Sequence, residues 1–294
     1  MNKNYNLVKK YQIKSYIKVN LSLKVLKKLK TGYHNIQSLI TFCNLYDTIT
    51  ISTINKASDV INFSGKFSKG ISNNKNSITK VLKLLRIKNF LKNKKFKIEI
   101  KKNIPHGSGL GGGSSNAACL LNFLSSKMLI NLRKSELKKI ALKIGHDVPI
   151  MLEKKNTFLT GKKNEILRLN KSFKFDILIV YPNLVCSTKK IYLKNKKFTY
   201  IKNLSNFNIK GREKIIKYLQ KEGNDLEITT TKFYPKIKKI IDFISSQNGC
   251  YFSQITGSGS ACIGIFSNTK TAIYAQKLIK LKFPKNWCVV SKTI

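Results

Sequence analysis

Ile104-Pro105-His106-Gly107-Ser108-Gly109-Leu110-Gly111-Gly112-Gly113-Ser114-Ser115-Asn116-Ala117-Ala118 is the stretch that constrains the rest of the chain most tightly. Five glycines in seven positions let the backbone approach a ligand closely and take positive φ. The small and apolar residues that follow suit a helix, whose first N–H groups lack partners and carry the positive end of its dipole. Phosphate is the expected guest of such a loop. The hydroxyls of Ser114 and Ser115 either add donors to phosphate oxygens, or a ligand to magnesium, or cap the helix; the two roles are compatible.

Three kinds of phosphate loop compete for this stretch. A Walker A loop requires G-x-x-x-x-G-K-[S/T], and no lysine follows these glycines. A dinucleotide fingerprint fits formally at Gly107, Gly109 and Gly112, but the acidic residue expected about 20 positions on is missing, the nearest being Glu136. A third type of loop is therefore required.

Upstream, Phe96, Ile98 and Ile100 alternate as a half-buried strand would, as do residues 48–54. Residues 18–24 read as a strand with Val19, Leu21 and Leu23 on one face. Downstream, a helix is predicted over 114–129. A second is predicted with Ser135 as N-cap, Leu137, Ile140, Ala141 and Ile144 on its apolar face and Gly145 past its end, followed directly by His146-Asp147-Val148-Pro149. Residues 177–181 read as a strand, and the chain closes with a strand, a glycine-rich turn, a strand over 261–266, a helix over 271–281 and a strand over 287–290. Strands and helices mixed without strict alternation imply an α+β fold in two domains, divided near residue 165.

Composition narrows the class less than it first promises. With 294 residues, 42% of them hydrophobic, the chain is long enough for folded cores, and no run approaches the roughly 18 apolar residues of a membrane span. A cytoplasmic protein without membrane association is expected. Six cysteines lie apart from one another and from the histidines, so neither a zinc site nor a disulfide framework is indicated. The net charge of +44 suggests nucleic acid. Yet the basic residues are dispersed through nearly every segment, among many Asn and Ile, as an AT-rich codon bias would leave them. No specific nucleic-acid partner is expected, though a basic nucleic-acid-binding protein remains the reading from another class.

P-x-G-x-G-L-G-G-G-S-S-N-A-A resembles the second motif of the GHMP kinases. Three further segments agree in order. Lys18-Val19-Asn20-Leu21-Ser22-Leu23 is similar to the family's K-x-N-L-x-L strand, and Gly32-Tyr33-His34-Asn35-Ile36-Gln37-Ser38-Leu39 resembles the G-Y-H segment of a member with a cytidine-bearing acceptor. Thr256-Gly257-Ser258-Gly259-Ser260-Ala261-Cys262 is similar to the third motif, T-G-S-G. Departures are Tyr16-Ile17 where the family has Pro-Ala, His146 where it has a small residue, and a G-x-G-E turn altered to Gly161-Lys162-Lys163-Asn164-Glu165. A homoserine or mevalonate kinase of the same family is the alternative, but it gives no reason for the Gly32-Tyr33-His34 segment.

The resemblance implies an N-terminal ATP-binding domain over 1–165, akin to domain 2 of ribosomal protein S5, and a ferredoxin-like C-terminal domain over 166–294. It implies ATP, with Mg2+ carried by the nucleotide, and phosphoryl transfer to an alcohol. Pro105, Gly107, Gly109, Leu110, Gly111, Gly112, Gly113, Ser114 and Ser115 would hold the nucleotide. With only thirteen acidic residues, candidates for the base are few. Asp147, in a turn after a helix, stands where the family carries its catalytic Asp, with Asp47 and Asp225 next; a structural cap is its other role. Lys18 would keep Asp147 ionised and stabilise developing charge, unless it is one more solvated lysine. Asn20 shares the pleat parity of Lys18 and would bond the acceptor. Tyr33 and His34 would form a platform for cytidine with Tyr192 closing the other side, and Thr256 and Gly257 would offer backbone donors; ordinary packing and a tight hairpin are the alternatives.

Overall fold

The computed structural model describes residues 9–30, 32–127, 130, 132–161, 165–170, 172–200 and 211–294. In chain order its elements are β1 (Tyr11–Asn20), β2 (Lys24–Lys28), β3 (His34–Ile54), β4 (Val60–Ser64), α1 (Ser77–Ile87), β5 (Lys95–Lys101), α2 (Gly112–Lys127), α3 (Lys134–Ile144), α4 (Val148–Met151), β6 (Thr157–Thr160) and β7 (Ile166–Arg168). They continue as β8 (Asp176–Tyr181), α5 (Thr188–Lys194), α6 (Arg212–Glu222), α7 (Glu227–Phe233), α8 (Pro235–Ser245), β9 (Cys250–Ile255), β10 (Cys262–Phe266), α9 (Thr269–Lys282) and β11 (Trp287–Lys292). Among the described residues the strands make two sheets, of seven and four strands.

Two compact units divide these elements, and β1 and β3 each pass through both. The first holds the described residues of 1–16, 46–104 and 111–153. Here the second half of β3 runs antiparallel to β5, from Thr48 opposite Lys101 to Ile54 opposite Lys95, and β4 lies parallel to β5. Alternation decides the face: Phe96, Ile98 and Ile100 are fully buried, while Lys95, Lys97 and Glu99 are only half-buried. α1 packs on α2, which packs on α3 and α4. Asn76 starts α1 by accepting the N–H groups of Ile78 and Thr79, and Ile78, Val81, Leu82 and Leu85 form its buried stripe.

The second unit holds 17–45, 105–110 and the described residues of 154–294. The first half of β3 pairs with β2 and β6, and β6 with β7. Its other sheet is antiparallel throughout, in the order β11-β8-β10-β9, with α8 and α9 against it. In α8 the spacing of Ile237, Ile240, Ile241 and Ile244 puts four branched side chains on one face, each worth about 1.5 to 3 kcal/mol when buried. All six cysteines are free and four are buried; burial pushes the Cys43 thiol up to about 12.

Three local expectations are corrected. The strand expected over 18–24 begins at Tyr11 and stops at Asn20, because the N–H groups of Leu21 and Ser22 both turn to the Leu39 carbonyl and Leu23 bridges Asn224. α3 is capped at Arg133, whose N–H meets the Glu136 carboxylate at 3.3 Å, so Ser135 lies inside the first turn. α2 begins at Gly112, which places Ser114 and Ser115 within the helix and not at its cap. Residues 128–129, expected to end that helix, and 162–164 of the altered turn lie outside the described residues.

Candidate active site

In the second unit both glycine motifs converge on β1. Lys18 and Asn20 are 5% and 3% exposed, so this strand is buried on both faces and Lys18 is not a solvated lysine. Its ammonium donates to the Asn20 Oδ1 at 2.6 Å. The Asn20 amide is oriented by its other end, since Nδ2 donates to Ser38 Oγ at 2.8 Å and Ser38 in turn donates to the Ser22 carbonyl at 2.5 Å. The Asn20 backbone N–H donates to Thr256 Oγ1 at 2.8 Å, which fastens the T-G-S-G turn to the strand. A β-carbon built on Gly257 would lie 3.3 Å from Asn20 Oδ1 and 3.5 Å from Lys18 Nζ, and the φ of +63 favours glycine here.

The first half of the glycine loop, 105–110, packs on the same turn. The Lys18 N–H donates to the Leu110 carbonyl and the Ala261 N–H to the Ser108 carbonyl, each at 3.1 Å. Gly109 has φ +86. Ser108 Oγ closes the loop on the Pro105 carbonyl at 2.8 Å, and the Tyr181 hydroxyl donates to the His106 carbonyl at 3.3 Å. Lys18, Asn20, Leu110, Thr256 and Gly257 are thus brought together within one unit.

The second half of the loop, 111–118, belongs to the first unit. Gly111, Gly112 and Ser114 are partly exposed and Gly113 is exposed at the start of α2, and the Ser77 hydroxyl donates to the Gly113 carbonyl at 2.8 Å. Ser115 is turned away: its hydroxyl donates to the Tyr16 carbonyl at 2.6 Å and accepts from Ser15, and its N–H returns to Gly111. Its side chain pins the helix to β1. Asp147 is half-buried and starts α4 without a side-chain capping bond, with Pro149 at the second helical position.

Asp47 and Asp225 are saturated by structural partners. Asp47 is fully buried, takes the N–H groups of Asn103 and Ile104 at 2.8 and 3.0 Å, and is ion-paired with Lys102. It anchors the entry to the glycine loop. Asp225, equally buried, takes the Val25 N–H at 3.0 Å and the Thr199 hydroxyl at 2.7 Å and faces Lys24 and Lys197.

The aromatic residues separate. His34, at the start of β3, lies 5.2 Å from the Tyr192 ring and 6.4 Å from Phe198, which it meets nearly parallel at 19°. Burial, and then the charge of Lys28, hold its imidazole below its ordinary pKa. Tyr33 is 59% exposed in the turn after Gly32. Phe198 escaped sequence reading because it lies in a lysine-rich stretch with no period. Asn224, which donates to the carbonyls on both sides of Thr256, escaped because a lone Asn carries no signal.

Residues 76–153 match the family model described as the GHMP kinases N terminal domain, and residues 201–279 match GHMP kinases C terminal. The chain belongs to the GHMP kinase family. A 4-diphosphocytidyl-2-C-methyl-D-erythritol kinase from Pelagibacter ubique (strain HTCC1062) is 42% identical, over 97% of this chain and 99% of its own. One of the same name from Wolbachia pipientis wMel is 32% identical over 95% of this chain and 97% of its own. A crystal structure of 4-(cytidine 5'-diphospho)-2C-methyl-D-erythritol kinase shares the fold with a TM-score of 0.77, at 22% identity, covering 96% of this chain and 99% of that one.

Proposed function

We propose that this chain transfers the γ-phosphoryl group of ATP to the 2-hydroxyl of 4-diphosphocytidyl-2-C-methyl-D-erythritol, in the non-mevalonate route to isoprenoid precursors. The observation that carries this reading is the 42% identity, end to end, with a kinase of that name. The grouping of His34, Tyr192 and Phe198 supports it, because aromatic rings gathered at one place can hold a flat base.

In this reading the domain over 1–165 binds ATP and that over 166–294 completes the enzyme. Gly107, Gly109, Leu110, Gly111, Gly112 and Gly113 offer N–H groups to the nucleotide phosphates and Ser114 adds its hydroxyl, Pro105 sets the entry to the loop, and Ser115 holds the helix that follows it. Asn20, Thr256 and Gly257 orient the acceptor, and Tyr33, His34 and Tyr192 hold its cytosine. As the acceptor oxygen attacks the γ-phosphorus, Asp147 takes the hydroxyl proton, the bond to the bridging oxygen breaks and ADP leaves. Lys18 offsets the charge that grows on the transferred group. Mg2+ would arrive on the nucleotide, with the Ser114 hydroxyl as its ligand from this chain. Bound there, it neutralises phosphate charge.

A coupled assay of ADP release tests the assignment. Release is expected with the cytidyl acceptor and not with homoserine or mevalonate; equal turnover of either of those, or release independent of any acceptor, overturns it.

A further inference from the structure

Residues 223–226, between α6 and α7, carry no role in the reaction described so far, yet they grip both sides of the site. On one side the Leu23 N–H donates to the Gly223 carbonyl at 3.0 Å, the Asp225 N–H to the Leu23 carbonyl at 2.8 Å, and the Val25 N–H to the Asp225 carboxylate at 3.0 Å. This side fixes the chain just after Lys18 and Asn20. On the other, Asn224 Nδ2 donates to the carbonyls of Ile255 and Gly257, at 3.1 and 2.8 Å. The Leu226 N–H donates to Asn224 Oδ1 at 3.0 Å, which sets the orientation of the amide, and Asn224 is only 8% exposed.

Thr256 lies between the two carbonyls that Asn224 holds, and its hydroxyl receives the Asn20 N–H. Gly257, with φ +63, stands beside Lys18 and Asn20: a β-carbon built on it would lie 3.3 Å from Asn20 Oδ1 and 3.5 Å from Lys18 Nζ. One side-chain amide therefore sets where the Thr256-Gly257 peptide sits relative to the ammonium of Lys18. A shift of about 1 Å at such a place can cost about a hundredfold in rate. We propose that Asn224 is a positioning residue of the phosphoryl transfer, which acts through the Thr256-Gly257 turn and does not itself touch the reacting atoms.

The inference rests on the kinase reading, and wild-type turnover of the cytidyl acceptor is measured first; its absence removes that reading and not the geometry. Asn224→Asp keeps the shape and removes both donors. Asp225→Asn, in the same buried segment, weakens the other grip and serves as the measure of a purely structural loss. Expected are a kcat lowered 10- to 100-fold in folded Asn224→Asp with KM for ATP and for the acceptor within about threefold, and a kcat within about threefold of wild type in folded Asp225→Asn. If Asn224→Asp does not fold, Asn224→Ser, which retains one donor, enters the same comparison. An unchanged kcat in the folded Asn224 variant, or an equal fall in both variants, overturns the proposal.

Discussion

Gly109 and Gly259 meet backbone to backbone: a β-carbon built on Gly109 would stand 3.0 Å from the Gly259 Cα, and one built on Gly259 would run into the Ser108 carbonyl oxygen and stand 2.6 Å from the Gly109 Cα. Neither neighbour is the end of a flexible side chain, so neither can yield without moving the loop. At Gly112 the nearest atom is the Ile104 Cγ2, at 3.2 Å, and φ is not positive. Gly109→Ala and Gly259→Ala should therefore each lower kcat/KM for ATP at least a hundredfold, and Gly112→Ala less than tenfold. Steady-state kinetics on folded variants checks the order.

The three aspartates named as possible bases should separate by what their loss damages. Asp147→Asn and Lys18→Met are expected to lower kcat by at least two orders of magnitude while ATP binding, read by a fluorescent analogue, stays near wild type. Asp47→Asn leaves the Lys102 ammonium buried without its counter-charge, and breaking such a pair costs about 3 to 5 kcal/mol of stability. Urea unfolding should record that loss, while kcat per folded molecule changes little.

His34 is held below its ordinary pKa of 6.5, so it is neutral at pH 7 and gains its proton only as pH falls through the depressed value. An imidazole that reads the edge of a base as a neutral ring should raise KM for the cytidyl acceptor on acidification below 6.5, with kcat at saturation unaffected by this group. His34→Gln should remove that rise. A pH profile of KM unchanged by the substitution would take His34 out of the acceptor site.

Glu227 accepts the Ile255 N–H at 3.0 Å, yet burial raises its pKa above the ordinary 4.5. Folding thus favours the protonated form: the stabilisation is complete below 4.5 and is lost as pH rises through the raised value. Glu227→Gln keeps an acceptor for that N–H and has no charge to bury. The variant should melt higher than wild type at pH 7 and equal to it near pH 4.

The charge of +44 supplies non-specific attraction that salt screens. No complex selective for one nucleic-acid sequence should survive competition against random RNA and DNA at about 0.15 M salt, and turnover should need no nucleic acid.

Motif chemistry was the most legible layer of this sequence. The glycine loop, the pleat parity of Lys18 and Asn20, and the alternation through Phe96, Ile98 and Ile100 rest on local geometry, and each has its counterpart in the fold. What escaped was set by partners distant in sequence. The chain breaks after Asn20 because Leu21 and Ser22 share Leu39 and Leu23 meets Asn224. Ser135 had the chemistry of a cap, but Glu136 bonds to Arg133 and the helix starts two residues earlier than a Ser135 cap would put it. The stripe of Ile237, Ile240, Ile241 and Ile244 was readable in principle and was hidden by the lysines threaded through it. Asp47 and Asp225 had the right chemistry for a base, and only their burial among donors excludes them.

Ten successive residues, 17–26, are buried without interruption, two lysines among them. At an exposed position a codon that changes to lysine finds water for the new ammonium, at little cost. Along this stretch every side chain is enclosed, and the Lys18 and Lys24 ammonium groups already have their partners. A saturation mutational scan should therefore show an unbroken trough of tolerance to lysine at 17–26: the strand that carries Lys18 and Asn20 has no surface there on which a neutral change can land.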